Sequence, residues 1–184
     1  MAADVSLWWI GSNAADHALM AEVRRAVERV FRLQARLYQH SDRPTHAFDT
    51  RRGQHSSTQI LRWLVARDNP QGRVVVITDA DLFIPVLTFV FGEAQLGGRG
   101  AVVSTARLGL DLDAQALPRI VVDRTITETI HELGHSFGLL HCDVAGCVMT
   151  RSVSLADVDN KRATMCDGCE SRYAELRRKE GHHE

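Results

Sequence analysis

The segment His131-Glu132-Leu133-Gly134-His135-Ser136-Phe137-Gly138-Leu139-Leu140-His141 places three imidazoles and a carboxylate within eleven residues. On a helix, residues four apart sit one turn apart on one face, so His131 and His135 can converge on a single divalent ion. Glu132, rotated by about 100° from His131, is poorly placed to join them as a ligand but can reach a water held by the ion, which is the position of a general base. A helix running on unbroken would carry His141 about 15 Å along the axis from His131. The helix must therefore end first, and Gly138 sits where a left-handed C-terminal cap would stop it and return His141 toward the ion. The five fixed positions satisfy H-E-x-x-H-x-x-G-x-x-H, which residue frequencies in a chain with nine histidines would produce by chance roughly once in ten thousand such sequences. The expected chemistry is hydrolysis by a zinc-bound water that Glu132 activates and whose proton Glu132 passes to the leaving group. His17, His40, His46, His55, His182 and His183 carry no ligand spacing and read as surface histidines.

All four cysteines follow this segment: Cys142 directly after His141, then Cys147, then Cys166 and Cys169 as C-x-x-C around Gly168. Two pairs on turns can offer four thiolates to one ion in a closed tetrahedral site, which contributes folding energy and leaves no open position for chemistry. The alternatives are two disulfides or a redox C-x-x-C, and the sequence offers no thioredoxin-like unit around the pair. The expected complement is two zinc ions, one catalytic on His131, His135 and His141 and one structural on Cys142, Cys147, Cys166 and Cys169. The structural ion would pin the loop that delivers His141.

The elements that position these residues follow from periodicity. Ile126, Ile130, Leu133 and Phe137 give the histidine helix an apolar face to lay on a sheet. Residues 73–78 form a β-branched run expected as the central strand, and residues 5–10 form a first strand. Strands are also expected over 89–91 and 101–105, joined through the glycine-rich 97–100 segment, with a short one near 47–50. Helices are expected over 14–38, with Asn13 and Asp16 near its cap, and over 57–67, stopping at Asn69 and Pro70. Gly168 is expected in a tight turn, and the charged tail from Arg177 onward as a frayed end.

The chain has 184 residues, of which 45% are hydrophobic and 24% charged, so it suits one soluble globular domain. Its 22 basic and 23 acidic side chains almost cancel, which argues against nucleic acid or an anionic membrane as a partner and leaves a zinc-ribbon nucleic-acid binder without support. Apolar stretches such as 83–90 fall far short of the roughly 18 residues of a membrane span, and residues 1–10 lack the basic start of a secretion signal. A cytoplasmic location is expected, where cysteines serve as thiolates or ligands rather than disulfides.

The run from His131 through Cys142, Cys147-Val148-Met149 and the later C-x-x-C resembles the archaemetzincins, a branch of the metzincin metallopeptidases. The stretches 78–85 and 91–95 are also similar to that family, whereas residues before about 70 match only in general layout. The resemblance implies a mixed α/β, zincin-like (metzincin) fold. Its twisted mixed sheet of about five strands has one antiparallel edge strand, is packed on helices, and is joined to a small zinc-stabilised C-terminal part. Residues 89–96 are the candidate edge, where an extended peptide could bind by strand addition. The resemblance further implies Met149 as the Met-turn residue beneath the catalytic metal. It implies one catalytic domain over 1–184, with a subdomain of about 1–138 carrying sheet and active helix and another of about 139–184 carrying the Met-turn and the cysteines. The expected activity is zinc-dependent hydrolysis of peptide bonds in a peptide or protein substrate, as an endopeptidase or an aminopeptidase-like enzyme, by a monomer. The competing expectation is a non-catalytic, zinc-folded peptide- or protein-binding module.

Overall fold

The computed structural model describes residues 4–11, 17–40, 43–67, 72–111 and 117–180. Strand β1 (Val5–Ile10) is followed by helix α1 (His17–Phe31), strands β2 (Ala35–His40), β3 (Phe48–Asp49) and β4 (Gln54–Ser56), and helix α2 (Ser57–Val65). Next come strands β5 (Arg73–Thr78), β6 (Leu82–Phe83), β7 (Gly92–Ala94) and β8 (Gly100–Ser104), then helices α3 (Leu117–Ser136), α4 (Leu155–Asp159) and α5 (Asp167–Glu180). The main sheet has the order β2-β1-β5-β8-β7, parallel throughout except for β7, which runs antiparallel to β8 at one edge. This is the mixed five-stranded sheet with an antiparallel edge that the resemblance implied.

The β-branched run of β5 occupies the middle because its side chains are apolar on both faces. Val75 and Ile77 join Leu7, Trp9, Ala101 and Val103 in a core that α1 and α3 cover. Val74 and Val76 join Trp8, Ile10 and Val102 on the opposite face, which α2 covers through Ile60, Leu61 and Leu64. Ile126, Ile130, Leu133 and Phe137 are all buried in the first of these cores, so the histidine helix lies on the sheet as its periodicity indicates.

Strands β1 and β5 fall where the sequence places them, and α2 ends two residues earlier than expected, with Asn69 and Pro70 outside the described residues. The first helix is shorter than expected. Arg32 adopts φ 55°, breaking α1, and residues 35–40 form β2 against β1. Asn13 and Asp16 lie outside the described residues. The strand expected over 89–91 is displaced: Val90 makes one bridge to Leu82, and the paired strand begins at Gly92. The short strand near 47–50 is β3, part of a second, three-stranded sheet with β4 and β6.

The C-terminal part closes over the end of α3. Helix α5 extends to Glu180, so residues 177–180 are not frayed. Gly168 lies in the first turn of α5 rather than in a tight turn. Tyr173 Oη donates to the Phe31 carbonyl at 2.9 Å and its ring meets Phe31 and Phe137 edge-on. Arg73 pairs with Glu180, donates to Ser136 O at 3.1 Å and stacks over the Phe137 ring at 3.8 Å. Buried Arg124 on α3 holds Asp111, Asp159 and the Leu108 carbonyl, tying α3 to α4 and to the segment after β8.

Candidate active site

Helix α3 ends as the spacing of His141 demands. Gly138 has φ 93°, its N–H donates to His135 O at 2.8 Å, and Leu139 N–H donates to Gly134 O at 3.0 Å. The chain turns there, and the ligand-capable nitrogens of His131, His135 and His141 all lie within 4.8 Å of one another. The His131 Nδ1 contacts Val148 O at 2.8 Å and the His135 Nδ1 contacts Leu139 O at 2.7 Å. A carbonyl can only accept, so both Nδ1 atoms carry the proton and both Nε2 atoms are bare lone pairs. Those two Nε2 atoms stand 3.1 Å apart. Two acceptors at that distance need a cation between them, and two nitrogens of a tetrahedral zinc site are about 3.3 Å apart. Burial holds all three imidazoles below the ordinary histidine pKa, His131 furthest, so they are neutral and ready to ligate. The donor set fits zinc.

Glu132 is buried beside this cluster, and burial raises its pKa well above the carboxylate range, with Glu128 and Glu93 adding to the rise. A bound dication acts in the opposite sense. The edge strand makes room for Glu132 because residue 92 is glycine: a Cβ there would lie 2.6 Å from Glu132 Cγ and 2.8 Å from Val102 O. Met149 is fully buried and lies against the histidine helix at that helix's one glycine, Gly134, where a Cβ would meet Met149 Sδ at 2.6 Å.

A pair that the sequence did not reveal completes the floor. Lys161 Nζ donates to Glu128 Oε1 at 3.2 Å with both side chains buried, and Ser152 Oγ donates to the same carboxylate at 3.1 Å. The ammonium also lies 3.4 Å from His131 Nδ1. One signal was available: Lys161 and Lys179 are the only lysines among 22 basic side chains.

A cleft of about 460 Å³ opens above the histidines. One wall is the 87–92 segment, pinned from behind. Arg52 donates to Leu87 O at 3.2 Å and Gln54 to Thr88 O at 3.0 Å, while Arg107, paired with Asp81 at 2.7 and 2.8 Å, stacks over Phe89. The other wall is Arg151, Ser152 and Val153.

The four cysteines also meet. Cys142 and Cys166 Sγ are 3.7 Å apart and Cys147 and Cys169 Sγ 3.8 Å, with all four within 4.8 Å. These separations exceed a disulfide's length of about 2 Å and match the roughly 3.8 Å between thiolates of a tetrahedral zinc site. Gly146, at φ 77°, turns the loop between the first pair. Cys166 and Cys169 straddle the start of α5, and the Cys169 backbone N–H helps to hold the Cys166 thiol at about 7. A redox C-x-x-C also opens a helix, but here a second pair of sulfurs faces it. His17 and His46 are exposed and His55 is half-buried against Phe48, while His182 and His183 fall outside the described residues.

The model of peptidase family M54 matches residues 11–175. The chain belongs to this family. The archaemetzincin of Methanopyrus kandleri is 44% identical over 126 residues, a match covering 68% of this chain and 69% of that protein. The archaemetzincin of Haloquadratum walsbyi is 34% identical over 159 residues, covering 82% and 91%. The crystal structure of the M. kandleri archaemetzincin superposes with a TM-score of 0.83 at 32% identity, covering 95% of this chain and 96% of that one. A zinc-dependent peptidase from Methanocorpusculum labreanum superposes with a TM-score of 0.78 at 26% identity, covering 92% and 99%. Family M54 and these archaemetzincins support a zinc metallopeptidase with peptides or proteins as its substrates. No helix among the described residues is long and apolar enough to cross a membrane.

Proposed function

We propose that this chain hydrolyses peptide bonds, with His131, His135 and His141 as the ligands of a catalytic zinc and Glu132 as the general base. The reading is carried by the two bare Nε2 atoms at 3.1 Å, which call for a cation immediately beside a buried carboxylate. A zinc ion on these imidazoles supplies Lewis acidity toward a carbonyl oxygen and lowers the pKa of water to about 7. Glu132 accepts the proton of the attacking water and returns it to the leaving amine. Strand β7, last in the order of the main sheet among the described residues, offers its main chain to an extended substrate, and the pinned 87–91 wall excludes water from one side. A substrate laid along β7 suits an endopeptidase as well as removal of a terminal residue.

Cys142, Cys147, Cys166 and Cys169 are proposed to hold a second, structural zinc that fixes the 139–149 loop, and Met149 to support the catalytic site from beneath. In this reading residues 1–184 form one catalytic domain. The segment to about 138 supplies the sheet and active helix, and the segment from about 139 supplies the Met-turn and the cysteines. Every ligand and the base come from a single chain, which supports action as a monomer, and thiolate ligands suit the reducing cytoplasm.

The test is cleavage of a proteome-derived peptide library by the zinc-loaded protein and its Glu132→Ala variant. Glu132→Ala is expected to keep its zinc and lose at least about 100-fold in kcat. Full activity in that variant, or tight peptide binding by the native protein without a cut at any site, would overturn the assignment.

A further inference from the structure

Three ionisable acid or base side chains line the cleft besides the histidines: Glu128, Glu132 and Arg151. Glu128 is committed to Lys161 and Ser152. Glu132 lies buried against Gly92 at the ligands. Arg151 is exposed and forms no ion pair with any described residue. Its neighbours in sequence are anchored on both sides, Thr150 Oγ1 to Cys147 O at 3.0 Å and Ser152 Oγ to Glu128 at 3.1 Å. The backbone that carries Arg151 is therefore held at the rim. The arginines behind the opposite wall are occupied, Arg52 with Leu87 O and the Phe83 ring, and Arg107 with Asp81 and the Phe89 ring. That wall offers apolar surface through Leu87, Phe89 and Phe91, and on its own side Arg151 is followed closely by Val153, at 71% exposure. A planar guanidinium with unspent donors at the edge of an apolar cleft matches a carboxylate in shape and charge.

We propose that Arg151 is a specificity-determining residue that pairs with a substrate carboxylate close to the scissile bond, while an apolar substrate side chain lies against the opposite wall. The inference rests on the peptidase reading above for its scissile bond. The carboxylate is either the side chain of an Asp or Glu or the C-terminus of a peptide, since both present the same two oxygens.

Digestion of a proteome-derived library by the zinc-loaded protein, in free-acid and C-terminally amidated forms, separates the two sources. Asp or Glu enriched within about two residues of the cuts identifies a side chain, and cuts that amidation abolishes identify the terminus. On a peptide so found, Arg151→Leu raises KM about tenfold with little change in kcat, and Arg151→Glu shifts the preference to Lys or Arg. Cuts without acidic preference, indifferent to amidation and unchanged in Arg151→Leu, would sink the proposal and leave the peptidase reading intact. Fluorescence polarisation supplies a readout without turnover, using zinc-loaded Glu132→Ala and labelled, amidated hexapeptides with a central Glu or Gln flanked by Phe, alongside a Phe-rich hexapeptide with a free C-terminus and its amide. About tenfold tighter binding of the carboxylate-bearing member of either pair is expected, lost when Arg151→Leu is added. Equal affinities in both pairs overturn the proposal. Discrimination by a protein that cuts nothing would overturn the peptidase reading and retain the Arg151 subsite.

Discussion

At Gly134 two effects of opposite sign compete. Alanine favours a helix over glycine by about 1 kcal/mol, whereas forcing a methyl group into a packed core costs about 1–3 kcal/mol. The neighbour at 2.6 Å is Met149 Sδ, on a fully buried side chain with little room to yield, so the packing cost should win. Gly134→Ala is expected to lower the urea midpoint, and the double variant with Met149→Ala to lose less than the sum of the two single variants. Lys161→Met is a harsher change because it leaves the Glu128 carboxylate buried without its ammonium. A loss of about 3–5 kcal/mol in denaturant unfolding is expected, with most of it recovered when Glu128→Gln is added. That the three histidines converge, and the four cysteines likewise, was legible in the sequence because each group is built from short, local spacings, i and i+4 on one helix and C-x-x-C at the start of another. The Glu128–Lys161 pair was not, since its partners lie 33 residues apart and meet only through the fold.

Strand β2 shows why an element can be missed. Val27, Phe31, Ala35 and Tyr38 continue a helical spacing, and no glycine or proline interrupts them. The break is made by Arg32 at φ 55°, a conformation its residue type does not announce, and by the open side of β1, which pairs with residues 35–40. β4 and β6 are only three and two residues long, too short for a period to show. The edge strand was legible in place but not in extent. Its first residue is the one to test: Gly92→Ala must displace either Glu132 or the strand that faces it, and a shift of about 1 Å in a reacting group costs about 100-fold. kcat/KM is expected to fall by that factor with zinc content and circular dichroism unchanged. Helix α4 carries an acid-sensitive cap, since the Ser154 hydroxyl and then the Val153 N–H hold the Asp157 pKa below its ordinary value. A carboxylate depressed in the folded state stabilises at pH values above its unfolded pKa, and this support is lost as pH falls through the folded one. Asp157→Asn should therefore lower Tm near neutral pH and flatten its decline below about pH 4.

Across the whole molecule, the two ligand clusters share the 139–149 loop. Chelation is expected to release two zincs per chain and to unmask four thiols that were protected before it. Cys166→Ser should lose the cysteine-bound zinc and also weaken retention of the other, because Leu139 O and Val148 O, which orient His135 and His131, belong to the loop it frees. An unchanged affinity of the histidine site in that variant, measured by competition with a chelator, would separate the clusters. The clasp of α5 on Phe31 and Arg73 carries a consequence for biosynthesis. The three histidines and Glu132 leave the ribosome before Cys166, Cys169, Tyr173 and Glu180, the residues that fasten their loop to the body of the protein. On the proposed function, a nascent chain would carry its reactive groups for a time without the parts that set their geometry, and the order of translation itself would postpone the onset of hydrolysis.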